Sequence, residues 1–153
     1  MDGADGVSSS LAILALIGIY IVQLISSNYN FNSLSLALLG ALIPFLWFNM
    51  IGCSKSKVFL GDSGSLFIGY SIAFLILQEN QINNISSSLA LWFTAIPIFD
   101  VIFVMIFRFK NSRPVFSPDR SHLHFFLQTL GLSNLKVLLM IMTIGISFLF
   151  LGI

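Results

Sequence analysis

The chain alternates between long apolar stretches and short polar connections. The five apolar stretches run from Val7 to Ile25, Leu34 to Ile51, Gly64 to Leu77, Leu89 to Phe107 and Leu135 to Ile153. Four of them approach the roughly 20 residues that a helix needs to cross a bilayer. The pattern therefore predicts an all-α integral membrane protein with about five transmembrane helices, forming a single membrane domain over residues 1–153.

The third stretch, Gly64 to Leu77, is shorter than the other four. It reaches across a bilayer only if Asp62 to Ser65 and Gln78 join the helix, or if the bilayer thins locally. We count it as a span. Asp62 and Ser63 stand just before the apolar run, where a polar side chain commonly caps the first amides of a helix.

Composition supports the membrane prediction and limits the other classes. Hydrophobic residues make up 57% of the chain and charged residues 8%, whereas about a quarter of the residues in a soluble domain are charged. Cys53 is the only cysteine, so neither a disulfide nor a cysteine-rich metal site is expected. The net charge is +1, which argues against a nucleic-acid surface. An acid follows Met1, so the first span does not resemble a cleavable signal peptide.

The basic residues indicate how the helices are oriented. Two connections are basic and two, Ser26 to Ser33 and Gln78 to Ser88, contain no Lys or Arg. The basic residues of the two basic connections are Lys55, Lys57, Arg108, Lys110, Arg113 and Arg120. Because basic loops stay in the cytoplasm, five spans place the amino terminus inside and the carboxyl terminus outside. The Arg108 to Arg120 loop either contacts phosphates or anionic headgroups, or only sets this topology.

Acidic residues near the spans are candidates for chemistry, because a charge in the membrane is costly without a partner. Asp2 and Asp5 lie three residues apart, and on a helical turn they would share a face that a divalent cation or a bound donor could neutralise. A solvated terminus is the alternative. Asp62 is either an N-cap or an oxygen ligand for Mg²⁺ at a helix start, where phosphate also binds well. Asp100 is expected to be buried, near a kink caused by Pro97.

The segment from Ser117 to His124 is the densest polar patch, with an acid, a guanidinium and two imidazoles. His122 and His124 would diverge on a helix and face opposite ways on a strand. They therefore suit a phosphate-contacting set with Arg120 better than a metal pair. A solvated interfacial loop is the alternative. With the predicted topology, this patch lies on the same membrane face as Asp2, Asp5 and Asp62.

Four ordered motifs resemble those of the polyprenyl-phosphate N-acetylhexosamine-1-phosphate transferases, the glycosyl transferase family 4. They are Met1-Asp2-Gly3-Ala4-Asp5-Gly6, Val58-Phe59-Leu60-Gly61-Asp62-Ser63-Gly64-Ser65, Ile96-Pro97-Ile98-Phe99-Asp100 and Phe116-Ser117-Pro118-Asp119-Arg120-Ser121-His122-Leu123-His124. The last motif is most similar to the undecaprenyl-phosphate N-acetylglucosamine-1-phosphate branch. The resemblance covers essentially the whole chain.

The resemblance implies a role for each matching residue. Asp62 would be a Mg²⁺ ligand, and Phe59 would stack on the uracil of a UDP-sugar. Asp5, with the backbone of Gly3 and Ala4, would line the uridine pocket, and Asp2 would lie near the reacting centre. The remaining motif residues, Arg120, His122 and His124, would hold the diphosphate or the sugar. The catalytic set implied in this way is Asp2, Asp5, Asp62, His122 and His124.

The implied reaction is attack by an undecaprenyl phosphate oxygen on the sugar-linked phosphorus of a UDP-N-acetylhexosamine. It would release UMP and leave a lipid diphosphate sugar for a cell-envelope polysaccharide such as lipopolysaccharide or teichoic acid. Mg²⁺, with Mn²⁺ as an alternative, would be the cofactor. The implied location is the bacterial cytoplasmic (inner) membrane, as a multi-pass protein with its active site on the cytoplasmic face.

Two departures from the family pattern change this expectation. Members of the family usually carry a tandem aspartate motif upstream, and the chain begins too late to contain it; the loop also ends His124-Phe125 where a further His is common. The chain therefore resembles the carboxyl-terminal half of a larger transferase, inactive alone, as a fragment, a misplaced start or half of a split gene. Partners would be the missing amino-terminal spans or a second copy.

Two other functions remain as alternatives at the level of sequence. A non-catalytic membrane segment or transporter fragment would explain the absence of the upstream motif. An intramembrane aspartyl protease would pair Asp62, in Leu60-Gly61-Asp62, with Asp100. Phe59 stands where such a protease is expected to have glycine, which argues against this second alternative.

Overall fold

The regular structure is helical throughout the part of the chain that the computed structural model describes, namely residues 6–25, 32–51, 58–83, 91–112, 114 and 122–152. A helical stretch at 91–93 ends at a turn before the fourth of the helices named here. The helices are α1 Val7–Ile25, α2 Ser33–Ile51, α3 Gly61–Asn83, α4 Ala95–Lys110, α5 Leu123–Thr129 and α6 Asn134–Gly152. The all-α prediction is confirmed.

Three of these helices are long and apolar enough to cross a membrane. They are α1, residues Ser33–Met50 of α2, and α6, with mean hydropathies of 2.1, 1.7 and 2.2. Large apolar side chains also cover the outer faces of α2 and α3, where Trp47, Leu66 and Tyr70 are each more than 60% exposed. Apolar outer faces of this kind are typical of helices in contact with lipid. The structure thus supports a membrane protein, while the count of five spans and the orientation of the termini stay predictions.

Helix α1 occupies the centre of the helix packing. It contacts α2, α3 and α6, and Leu16 is fully buried in a cluster that includes Leu75 of α3. A second apolar cluster joins Val7, at the start of α1, to Leu127 of α5 and Ile141 of α6. Because both clusters include α1, this helix connects the start of α3 with the short helix α5.

The third helix is longer than the sequence pattern predicts. It begins at Gly61 and continues to Asn83, a length of 23 residues, or about 34 Å at 1.5 Å per residue. The polar residues at its far end remain helical because they have partners: Gln78 accepts a hydrogen bond from Asn32, and Glu79 accepts one from Gln23 of α1. Polar side chains paired between helices are a common way to join helices in membranes.

The expected N-cap at Asp62 is wrong, because the helix starts one residue earlier. Gly61 is the first helical residue and has a φ of +68°, a value that glycine adopts without strain. Asp62 consequently lies within the first turn, and Ser65 Oγ donates to its backbone oxygen at 2.9 Å. Within the described residues, the carboxylate itself forms no hydrogen bond to the backbone of its own helix start.

Helix α4 begins and ends later than the predicted span. The chain turns at Thr94, and Pro97 lies in the first turn of α4, where a missing N–H is tolerated. The interruption therefore precedes Pro97. At the other end, Arg108 and Lys110 belong to the last helical turn rather than to a loop. Basic side chains at this position interact favourably with the helix dipole.

Candidate functional site

The predicted site residues divide into two groups. Asp2, Gly3, Ala4, Asp5 and Arg120 lie outside the described residues, so their assigned roles stay predictions. The structure places the remaining four, which are Phe59, Asp62, His122 and His124. Their positions, together with those of Gly6 and Asp100, define the geometry of the candidate site.

The Asn49 side chain, 6% exposed near the end of α2, links two of the motifs. Its Oδ1 accepts a hydrogen bond from the Gly6 amide at 2.5 Å, and its Nδ2 donates to the Val58 carbonyl at 2.6 Å. Gly6 is the last residue of the acid-glycine motif, and Val58 directly precedes Phe59. Two segments that are about fifty residues apart in sequence therefore meet at one amide.

Gly6 satisfies two requirements at this junction. Its φ is +78°, and a Cβ at this position would lie 3.0 Å from the Met50 side chain and 3.1 Å from that of Leu46. Any other residue would be strained by its backbone angle and would also crowd the end of α2. This explains in physical terms why the motif ends in glycine where α1 begins.

The start of α3 is open to its surroundings. Phe59 is 63% exposed and Asp62 is exposed. The Asp62 carboxylate forms no hydrogen bond or ion pair with another residue in the described part of the chain. A Cβ built on Gly61 would meet nothing within 4 Å. An aromatic ring and a carboxylate are thus both accessible to a ligand at the same helix start.

Asp100 is buried, and each of its carboxylate oxygens has a hydrogen-bond partner. Its side chain is 1% exposed. Oδ2 lies 2.8 Å from His122 Nδ1, and Oδ1 accepts a hydrogen bond from the Leu123 amide at 2.6 Å. The expectation of burial is confirmed. Both oxygens already have a hydrogen-bond partner. The carboxylate is therefore not available for the pairing with Asp62 that an aspartyl protease would require.

His122 and His124 do not diverge, contrary to the sequence prediction. Their rings lie nearly parallel, with centroids 5.9 Å apart and an interplanar angle of 4°. His122 is the extended residue before α5, with φ −67° and ψ 153°, whereas His124 is helical. The prediction failed because it placed both residues on one kind of element, and the change from extended to helical backbone brings the rings to the same side.

His124 is the more enclosed of the two imidazoles. It is 1% exposed, and neither ring nitrogen has a hydrogen-bond partner within the residues that the structure describes. Burial, followed by the positive charges around it, including His122, lowers its pKa to about 4. The ring is therefore neutral at physiological pH and can donate or accept a hydrogen bond without carrying charge.

A cavity of about 260 Å³ brings together the neighbourhoods of three motifs. Its polar lining includes Ser8 of α1, Ser65 of α3, Thr94 and His122, and the rest is mainly apolar. Ser8 follows the acid-glycine motif by two residues, and Ser65 lies one helical turn from Asp62. The motif neighbourhoods that sequence and topology placed on one face therefore adjoin a common space.

Sequence reasoning missed Asn49. Its signal was an isolated amide inside the otherwise apolar stretch Leu34 to Ile51, a position where a polar side chain requires partners. The described residues contain no group of three or more His, Cys, Asp or Glu side chains that could hold an ion.

Comparison with known proteins gives a family and several relatives. The family described as glycosyl transferase family 4 matches residues 1–80. The chain is 35% identical, over 97% of its length, to a probable undecaprenyl-phosphate N-acetylglucosaminyl 1-phosphate transferase of Bacillus subtilis. It is 29% and 31% identical, over 92% of its length, to undecaprenyl-phosphate alpha-N-acetylglucosaminyl 1-phosphate transferases of Escherichia coli and Yersinia pestis.

These alignments cover only part of each relative. The chain spans 41% of the Bacillus subtilis protein, 39% of the Escherichia coli protein and 40% of the Yersinia pestis protein. No solved structure matches the chain at a significant level.

Proposed function

The chain belongs to glycosyl transferase family 4, and from this membership we propose that it forms part of an undecaprenyl-phosphate N-acetylhexosamine-1-phosphate transferase. The sugar phosphate would come from a UDP-N-acetylhexosamine, and the products would be UMP and an undecaprenyl diphosphate sugar. One observation carries the proposal. An exposed carboxylate and an exposed aromatic ring lie together at the start of α3, and the Asn49 amide joins that segment to the start of α1.

The proposed setting is the bacterial cytoplasmic membrane, crossed by five helices of this chain. The amino terminus and the starts of α1, α3 and α5 would lie on the cytoplasmic face, where nucleotide sugars are available. Two observations favour this arrangement. Gly6 and Val58 meet at Asn49, and the cavity is lined by residues from α1, α3 and the segment before α5. Further helices, corresponding to the rest of the relatives' length, would complete the enzyme.

Asp62 has the surroundings of a Mg²⁺ ligand. It offers exposed carboxylate oxygens that are not hydrogen-bonded to other described residues. Mg²⁺ commonly binds one or two carboxylates together with substrate phosphates and water, rather than an all-protein cage. When bound, the ion would neutralise charge on the diphosphate during phosphoryl transfer.

The other residues would bind and orient the two substrates. Phe59 offers a flat exposed ring on which uracil can stack. His122 and the neutral His124, with Arg120, would bind the diphosphate or the sugar. Asp5, with Gly3 and Ala4, would contact uridine, and Asp2 would lie near the attacking phosphate. Phosphoryl transfer depends chiefly on such positioning and on charge neutralisation, because the protein itself need form no covalent bond.

The test measures UMP release from UDP-N-acetylglucosamine in the presence of undecaprenyl phosphate. Because the chain spans about two fifths of its relatives, it would be joined in frame to the upstream part of the Bacillus subtilis relative. We expect Mg²⁺-dependent release of UMP, reduced at least about 100-fold in Asp62→Asn, since the amide removes the negative charge that binds the ion. Ser63→Ala, at the adjacent exposed position, is the matched control and should retain activity.

Each outcome distinguishes between functions. Full activity in Asp62→Asn would contradict the metal assignment, while leaving the family reaction in place. Absence of UMP release with any UDP-sugar would contradict the transferase and favour a non-catalytic membrane segment. Cleavage of a membrane peptide that depends on both Asp62 and Asp100 would instead support the protease alternative.

A further inference from the structure

We propose that Asp100 is a positioning residue for the same site, fixing His122 in the tautomer that carries hydrogen on Nδ1 and keeps Nε2 as an acceptor. The proposal rests on the transferase function proposed above and deepens it. Asp100 itself would touch no substrate. It would act through His122, whose ring adjoins the cavity shared by α1, α3 and α4.

The contact geometry supports a specific pairing of Asp100 with the His122–Leu123 segment. Asp100 lies in α4, and His122 and Leu123 lie at the start of α5, more than twenty residues later in the chain. The two Asp100 oxygens are directed to two different donors, at 2.8 Å and 2.6 Å. The distance to His122 Nδ1 falls within the range of charge-assisted hydrogen bonds, and the distance to the Leu123 amide is slightly shorter. A single carboxylate thus fixes both the ring and the backbone of the same segment.

The Leu123 amide fixes the direction of one of these bonds, and an ionised Asp100 carboxylate fixes the direction of the other. A backbone N–H can only donate, so Oδ1 of Asp100 is an acceptor. An ionised carboxylate accepts at both oxygens, and Oδ2 therefore requires a hydrogen on His122 Nδ1. In the neutral ring the proton is then absent from Nε2, which remains an acceptor. Of the two ligand groups proposed for His122, this tautomer would therefore contact a sugar hydroxyl and not a diphosphate oxygen.

Burial explains why this arrangement is specific. The Asp100 side chain is 1% exposed, and that of His122 is 24% exposed. A buried carboxylate is costly unless it accepts several hydrogen bonds, and both of its donors here come from the His122–Leu123 segment. The Leu123 amide in turn belongs to the first turn of α5, where backbone N–H groups have no partner within the helix. The carboxylate and the segment therefore stabilise each other, and the ring keeps its partly exposed position.

A purely structural latch between α4 and α5 is the competing explanation. Such a latch would affect folding, but it would not require a particular tautomer or act on catalysis through His122. The two explanations are separated by measuring the tautomer directly and by asking whether the kinetic effect of Asp100 depends on His122.

The chain suits this measurement because it contains only two histidines. Labelling with ¹⁵N-histidine gives two imidazole spectra, and His124→Asn assigns them. At a pH where the His122 ring is neutral, we expect a protonated Nδ1 and an unprotonated Nε2. In Asp100→Asn the amide oxygen can keep the Leu123 bond, which turns the amide NH₂ toward Nδ1, and we expect His122 to change to the Nε2–H tautomer.

Glu79→Gln is the matched control. It removes the charge of another buried carboxylate, on α3, that is hydrogen-bonded to Gln23. The His122 spectrum should be unchanged in this variant. Ser65, near the start of α3, lines the same cavity as His122, whereas Glu79 lies near the opposite end of that helix. A similar change in both variants would show a general loss of packing, and it would overturn the specific role of Asp100.

Kinetics of the completed transferase provide the second readout. We expect Asp100→Asn to lower kcat at least about tenfold. In the other tautomer Nε2 carries a hydrogen and can no longer accept a proton or a hydrogen bond from the substrate. In a His122→Ala background the same substitution should cause no further loss. Equal losses in both backgrounds would overturn the positioning role.

The failure of the proposed function would be recognised separately. The His122 tautomer is read without substrate, so an Nε2–H ring in the unmodified chain, or a spectrum insensitive to Asp100→Asn, would overturn the inference directly. Complete inactivity of the Asp62-containing parent would instead overturn the transferase assignment on which the kinetic part rests.

Discussion

Asp62 and Asp100 are carboxylates in opposite surroundings. Asp62 lies in the first turn of α3 and is exposed, and its carboxylate has no hydrogen-bond partner in the described part of the chain. Asp100 lies inside α4, with its side chain 1% exposed and with hydrogen bonds from His122 and Leu123. Only the first can acquire a ligand without losing an existing bond. Both oxygens of the second already hold the segment at the start of α5 in place.

The difference separates residues that bind from residues that hold others in place. An exposed carboxylate costs the fold little and can be neutralised by an ion or a substrate donor. A buried carboxylate is tolerated because protein donors surround it, and its removal leaves those donors unsatisfied. We therefore expect substitutions at the start of α3 to change binding and catalysis, and substitutions at the α4–α5 junction to change folding as well.

The largest expected effect on stability comes from Asp100→Ala. Leaving a buried donor without its acceptor typically costs about 1 to 3 kcal/mol, and this substitution removes the acceptor of both the Leu123 amide and the His122 ring. Asp62→Ala, by contrast, should leave stability unchanged. Chemical unfolding of both variants in detergent micelles provides the measurement. Equal destabilisation by the two substitutions would contradict the distinction drawn between them.

A smaller effect on stability is expected from the pH dependence of His124. Burial lowers the pKa of this ring from 6.5 to about 4. As the pH falls, the ring is therefore protonated in the unfolded chain at a higher pH than in the folded chain. Stability should be full above pH 6.5 and decline as the pH falls toward 4. The loss at pH 5 should be about 2 kcal/mol, at 1.36 kcal/mol per pKa unit.

The check on this second prediction is the His124→Asn variant. It should lack this part of the pH dependence when unfolding is followed between pH 7 and pH 5. If the two proteins lose stability in parallel over that range, His124 is not the group responsible. The result bears on the comparison because it tests whether the α5 region is enclosed as fully as its packing indicates.

The smallest effect is expected at Phe59. Stacking of a base on an aromatic ring contributes about 1 to 3 kcal/mol, so Phe59→Ala should raise the KM for the UDP-sugar about tenfold. Phe59→Tyr should keep the KM close to that of the parent, because the ring remains. Stability should not change in either variant, since the side chain is 63% exposed. A drop in stability without a change in KM would place Phe59 with the structural residues.

The all-α fold and most of its long helices could be predicted from the sequence, because long apolar stretches are typical of helices in a membrane. The ends of the helices were less predictable. Gln78 and Glu79 resemble loop residues, yet they remain in α3 because Asn32 and Gln23 pair with them from other parts of the chain. No local pattern contains that information.

The site shows the same limit. The resemblance identified Asp62 and the histidines, and charge cost alone indicated that Asp100 would be buried. The pairing of Asp100 with His122 could not be predicted, because it depends on how α4 and α5 meet. The parallel rings of His122 and His124 likewise follow from a change of backbone conformation between the two residues.

Asn49 has a consequence for which substitutions can be tolerated between the motifs. Its amide accepts from Gly6 N–H on one side and donates to Val58 C=O on the other, because an amide carries its acceptor and its donors on separate atoms. Aspartate would present an oxygen to the Val58 carbonyl, and leucine would leave both backbone groups unsatisfied. The start of α1 and the segment before α3 are thus coupled by the polarity of one side chain, so that a shift of either one relative to α2 would break one of these hydrogen bonds.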